Sequence, residues 1–156
     1  MPELALLTRH APDSRVAWER GRETTAAMLC AHVAGFSDLL EPANPGEEVV
    51  VICRDRYRFT VALLAAWQRG YVAALPPNPQ VETMRAMRMR PHTRTVIHDV
   101  DGAPGIDVRD ASVVSVARGK VGTHPFAPFA FDPGRQLATV YTSGSTGEHT
   151  ACPKTA

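Results

Sequence analysis

The sequence predicts an α/β protein, a layered and mainly parallel sheet flanked by helices, and three observations carry that prediction. The run Val49-Val50-Val51-Ile52-Cys53 is continuously apolar and largely β-branched, which is the pattern of a strand covered on both faces. Leu29, Val33, Phe36 and Leu40 recur at intervals of four, three and four, which lines one face of a helix. Strand-like and helix-like segments then take turns along the chain, as they do where βαβ units build a parallel sheet.

Taken in order, residues 15–18 (RVAW) read as a short strand and Gly21 as a turn. A helix follows over about residues 24–40, burying its apolar stripe and turning Glu23, His32 and Asp38 to water. EPANPGEE is a loop before the strand at 49–53, and a second helix over about 59–69 ends at Gly70, where glycine tolerates a left-handed cap. Residues 71–75 form the next strand, stopped by Pro76-Pro77. PQVETMRAMRMR is a third helix with Pro79 near its start, where a proline costs no hydrogen bond. Residues 95–98 are a strand, and DVDGAPG is a turn leading to short strands near 106–108 and 112–116. The Pro- and Gly-rich stretch RGKVGTHPFAPFAFDPG reads as a long crossing loop before a last strand over about 136–142. This divides the chain into an α/β core at 1–118, a crossing loop at 119–135, and a strand with a Gly/Ser/Thr-rich loop at 136–156. From about Ser143 onward no packed partner is expected, so the tail should be mobile.

A length of 156 residues is about one domain, enough to bury roughly two thirds of the unfolded surface. Lys and Arg number 17 against 16 Asp and Glu, so no global field favours nucleic acid or an anionic membrane. Arg85, Arg88, Arg90 and Arg94 form a basic cluster, read as a solvated helix face running into a loop. Cys30, Cys53 and Cys152 are odd in number and widely spaced; they lack the paired spacing of a zinc site and fit a reducing cytoplasm. No stretch approaches the about 20 apolar residues needed to span a bilayer. The six histidines are scattered, and no metal-ligand set is assigned: His98-Asp99-x-Asp101 reads as a strand end entering a turn.

The run Thr142-Ser143-Gly144-Ser145-Thr146-Gly147 places four hydroxyls and two glycines after an apolar strand. Glycines let backbone N–H groups converge on an oxyanion, hydroxyls donate further hydrogen bonds, and Lys154 could add a point charge. A flexible surface linker would have a similar composition. The Walker pattern fails, because six residues separate Gly147 from Lys154 and Pro153 precedes the lysine. His149 lies beside the loop and reads as a solvated histidine that could touch phosphate, and Cys152 as a bystander.

TSGSTG followed by Pro-Lys resembles the phosphate loop of the adenylate-forming superfamily, which includes acyl- and aryl-CoA synthetases, luciferases and peptide-synthetase adenylation domains. Two upstream stretches stand in the order that family requires. AAWQRGYVAALPPN at 65–78 is similar to its helix-Gly-strand-Pro motif, and GRETTAAML at 21–29 to the segment where a threonine opens the first long helix. The common Thr-Gly-x-Pro-Lys spacing is lengthened here by four residues, since Glu148 to Cys152 stand between Gly147 and Pro153. The resemblance implies an ATP- and Mg2+-dependent ligase that joins a carboxylic acid to AMP with release of pyrophosphate. The acyl group then passes to the thiol of CoA, or to the phosphopantetheine of an acyl carrier protein. It further implies that Thr142, Ser143, Gly144, Ser145, Thr146, Gly147 and Lys154 hold the phosphates, with Lys154 also catalytic. The chain would correspond to the N-terminal portion of such an enzyme and be inactive alone. The alternative reading is a non-catalytic nucleotide-binding or partner-docking module.

Overall fold

The computed structural model describes residues 4–19, 21–99, 112–115, 126–143 and 149–156. The strands predicted near 106–108, the turn before them and Gly144 to Gly147 of the hydroxyl-rich run lie outside the described residues. The elements run β1 (Leu4–Leu6), β2 (Arg15–Glu19), β3 (Arg22–Thr25), α1 (Ala26–Ser37), β4 (Glu48–Ile52), α2 (Arg56–Gln68) and β5 (Val72–Leu75). They continue with α3 (Val81–Arg88), β6 (Thr93–His98), β7 (Ser112–Ser115), β8 (Phe129–Phe131), β9 (Gln136–Ser143) and β10 (His149–Thr155).

The main sheet has the order β10-β9-β5-β4-β6-β7, with β4, β5, β6, β7 and β9 all parallel and β10 antiparallel to β9. The α/β prediction therefore holds, and β4 is the central strand that its sequence implied: Val49, Val50 and Val51 are 0, 0 and 2% exposed. From β4 the chain steps to β5 on one side through α2, then returns across β4 to β6 through α3. Reversing direction while keeping the crossover right-handed puts the two helices on opposite faces. The packing shows this. Val49, Val51, Ala73 and Ile97 join α1 and α2 in one core cluster, whereas Val50, Ala74, Val96 and Tyr141 join Met84 and Met87 of α3 in another.

Local chemistry sets the helix limits. Thr25 caps α1 by accepting from the Met28 N–H at 3.3 Å, and Asp55 caps α2 by accepting from the Arg58 N–H at 2.9 Å, each satisfying a donor the helix leaves unpaired. Helix α2 begins three residues before the predicted start, at the residue after that aspartate. Gly70 follows it with φ +96°, the left-handed geometry expected there. Arg69 closes the other helix: its Nε donates to the Ser37 carbonyl at 2.6 Å and its guanidinium pairs with Asp38.

Three expectations are corrected. Residues 22–25 form β3, paired antiparallel with β2 through the turn at Gly21 (φ +79°), so α1 is shorter than the predicted 24–40. The crossing loop contains a strand, β8, whose Phe129 and Phe131 are buried while it pairs with β1. The tail from Ser143 onward does have a partner: β10 pairs with β9 from His149 opposite Ser143 to Thr155 opposite Gln136.

Candidate functional site

All five parallel strands end on one edge of the sheet, at Ile52, Leu75, His98, Ser115 and Ser143. Chain direction reverses across β4, and in open α/β sheets ligands lie outside the carboxyl ends at such a reversal. Two features mark this edge.

The first is the turn after β4. The buried Asp99, 8% exposed, uses Oδ2 to accept from the backbone N–H groups of Arg54 at 2.9 Å and Asp55 at 2.8 Å. Arg58 donates to the Asp99 carbonyl at 3.1 Å. The end of β6 is thus fastened to the start of α2, which is the structural role of the His98-Asp99 corner. Cys53 sits against this group, its thiol pushed up to about 12, chiefly by burial and then by the Asp99 carboxylate, with Arg58 opposing. A thiol so raised stays protonated at neutral pH and is no nucleophile.

The second is the hairpin of β9 and β10. Thr142 and Ser143 are exposed at the end of β9, opposite Thr150 and His149. Lys154 is exposed and pairs with Ala138. Ala138 is five residues before Ser143, about 17 Å at strand spacing. The hairpin therefore brings Thr142, Ser143 and His149 to one end and leaves Lys154 toward the other.

Among the described residues, two buried side-chain polar atoms lack a hydrogen-bond partner, Asp99 Oδ1 and His149 Nδ1. Both lie at the carboxyl edge. Native interiors satisfy nearly all such groups, so an unpaired one asks for an explanation. Other polar clusters are satisfied. On the α3 face, Glu48 accepts from Thr139 at 2.9 Å and from the Tyr141 hydroxyl at 3.1 Å. Arg90, exposed as the sequence reading expected, lies 3.6 Å from the same carboxylate and 4.7 Å over the Tyr141 ring. A cavity of about 430 Å³ opens between the ends of α1 and α2, lined by Cys30, Ser37, Gln68, Arg69 and Phe129 among others. Its side chains are already turned onto protein: Ser37 donates to Gln68 and Ala65, Arg69 to Ser37, Cys30 to Ala127.

No protein-family model matches the sequence, and no curated protein sequence matches it. Solved structures do. The o-succinylbenzoate coenzyme A synthetase of Bacillus subtilis, in complex with AMP, superposes with a TM-score of 0.72 at 15% identity over 96% of this chain and 40% of its own. Over that matched portion, this chain shares the fold of that enzyme. The N-terminal subdomain of NpsA from Klebsiella oxytoca, in complex with 3-hydroxybenzoyl-AMSN, matches 94% of this chain and 38% of its own, with a TM-score of 0.65 at 17% identity. A fatty acyl-adenylate ligase from L. pneumophila, in complex with acyl adenylate and pyrophosphate, matches 96% and 29%, with a TM-score of 0.70 at 18% identity. The chain thus spans 29 to 40% of these three proteins.

The sequence showed the hydroxyl-rich run, His149 beside it and His98-Asp99 as a strand end entering a turn, but not that Asp99 fastens the start of α2 or that His149 Nδ1 is unpaired. Asp55 three residues before Arg58 was a readable cap signal. The pairing of Asp99 with that turn joins residues 44 apart and leaves no local trace.

Proposed function

We propose that this chain supplies the phosphate-binding portion of an ATP-dependent carboxylate ligase, the reading first drawn from the TSGSTG run. The observation that supports it is that Thr142 and Ser143, the described start of that run, are exposed at the carboxyl edge beside the unpaired Nδ1 of His149, in a fold shared with enzymes solved with AMP and acyl-adenylates.

In the proposed reaction a carboxylate attacks the α-phosphate of ATP and pyrophosphate leaves. ATP supplies the leaving group. The chain's part is to hold that group while its charge grows, with hydroxyls of Thr142, Ser143, Ser145 and Thr146 and with backbone N–H groups freed by Gly144 and Gly147. Mg2+ would be bound there together with the triphosphate, its charge offsetting that of the leaving group. The proposal extends to an acyl or aryl acid as substrate, to a CoA or carrier-protein thiol as acceptor, and to the cytoplasm as the compartment, in keeping with three free cysteines. Among the described residues no helix is long and apolar enough to cross a membrane.

The test is calorimetric titration of the 156-residue chain with pyrophosphate, alone and as Thr146→Ala. Losing a hydroxyl that donates to a charged oxygen should weaken binding about tenfold. Unchanged affinity would show that the run is a linker and overturn the reading.

A further inference from the structure

We propose that His149 is a phosphate-contacting residue of this site, donating from its imidazole to an oxygen of the di- or triphosphate, the contact first expected of Lys154. The proposal rests on the phosphate-binding reading above and deepens it.

Three observations lead to it. First, His149 is the residue directly opposite Ser143 in the antiparallel ladder; directly opposed side chains leave the same face with Cβ atoms about 5 Å apart. An oxygen bound by the Ser143 hydroxyl is therefore within reach of the imidazole. Second, His149 Nδ1 is buried and has no hydrogen-bond partner. A bound oxyanion would provide that partner. Third, Lys154 is five residues further along β10, opposite Ala138. Side chains alternate along a strand, so an odd step turns Lys154 to the opposite face from His149, besides carrying it about 17 Å away at strand spacing. A lysine side chain spans well under half of that distance. The four residues that lengthen the segment between Gly147 and Pro153 thus carry Lys154 from position 150, opposite Thr142, to its place opposite Ala138, and leave His149 as the basic side chain beside Ser143.

The chain itself is the material for the test. Pyrophosphate is titrated by calorimetry into wild type, His149→Ala, His149→Gln, Ser143→Ala and Lys154→Ala, and the His149 ring resonances of wild type are followed through the same titration. The expected result is a loss of about tenfold for His149→Ala, a smaller loss for His149→Gln, which keeps an N–H donor, and less than about twofold for Lys154→Ala. The ring resonances of His149 should move with saturation. This readout needs no variant to fold. Static ring resonances overturn the assignment. If Ser143→Ala weakens binding while His149→Ala does not, the assignment also fails and the phosphate-binding reading stands. If wild type binds no pyrophosphate, that reading fails and takes this one with it.

Discussion

Cys53 shows how one buried residue links the fold to solution behaviour. Its thiol is moved from 9.0 to about 12, by burial first and by Asp99 second. In the unfolded chain the same thiol loses its proton near its ordinary value, so above about pH 9 the unfolded state binds fewer protons than the folded one and stability falls as pH rises. Below that pH the contribution is constant. Tyr141, raised from 10.0 to about 12 by burial and by Glu48, adds a loss of the same sign between those values. Melting temperature should therefore be flat toward neutral pH and decline from about pH 9 to about pH 12. Cys53→Ser should remove the early part of the decline, leaving the variant's drop between about pH 8 and pH 10.5 smaller by roughly 3 °C or more. Parallel declines in the two proteins would show that the thiol is not held as described.

At the scale of elements, Glu48 ties three strands together. It starts β4 and takes hydrogen bonds from Thr139 and Tyr141 of β9, with Thr93 of β6 at 3.5 Å. Glu48→Leu would deprive the buried Tyr141 hydroxyl, on a residue 1% exposed, and the Thr139 hydroxyl of their carboxylate acceptor. Chemical denaturation should show a loss of about 3 kcal/mol, with Glu48→Gln losing less. Pyrophosphate affinity of the folded variants should stay within about twofold of wild type, since this cluster is on the α3 face and not at the hairpin end. Equal stability of Glu48→Leu and wild type would refute the tie. Elements differ in how far sequence exposes them. Strand β4 is legible because its burial on both faces is written in its own side chains. Strand β10, HTACPKT, is not, because a proline and alternating small residues carry little strand preference and its pairing is supplied by β9. Strand β8 is equally hidden: its three residues are fixed by β1, more than a hundred positions away.

For the whole molecule, the decisive feature is that sheet order sends unlike segments to one edge. The hydroxyl-rich run was legible as chemistry in the sequence, since glycines and hydroxyls at close spacing suit an oxyanion wherever they fold. Its company was not. Asp99 and Cys53 reach the same edge as the run only because β6, β4 and β9 are parallel and end together, and His149, already beside the run in the sequence, is marked further by an unpaired buried nitrogen. The lengthened segment before Pro153 was visible as a spacing difference, but the displacement of Lys154 along β10 required the register.

The central claim is that this carboxyl edge binds the phosphates of ATP, and amide chemical-shift mapping of the chain titrated with MgATP tests it most directly. The account predicts that the largest shifts fall at Thr142, Ser143, His149 and Thr150, with smaller ones at the ends of β5 and β4, and none around Glu48 or the cavity between α1 and α2. Shifts centred on Ser37, Gln68 and Arg69 of that cavity, or no saturable shifts at all, would contradict it.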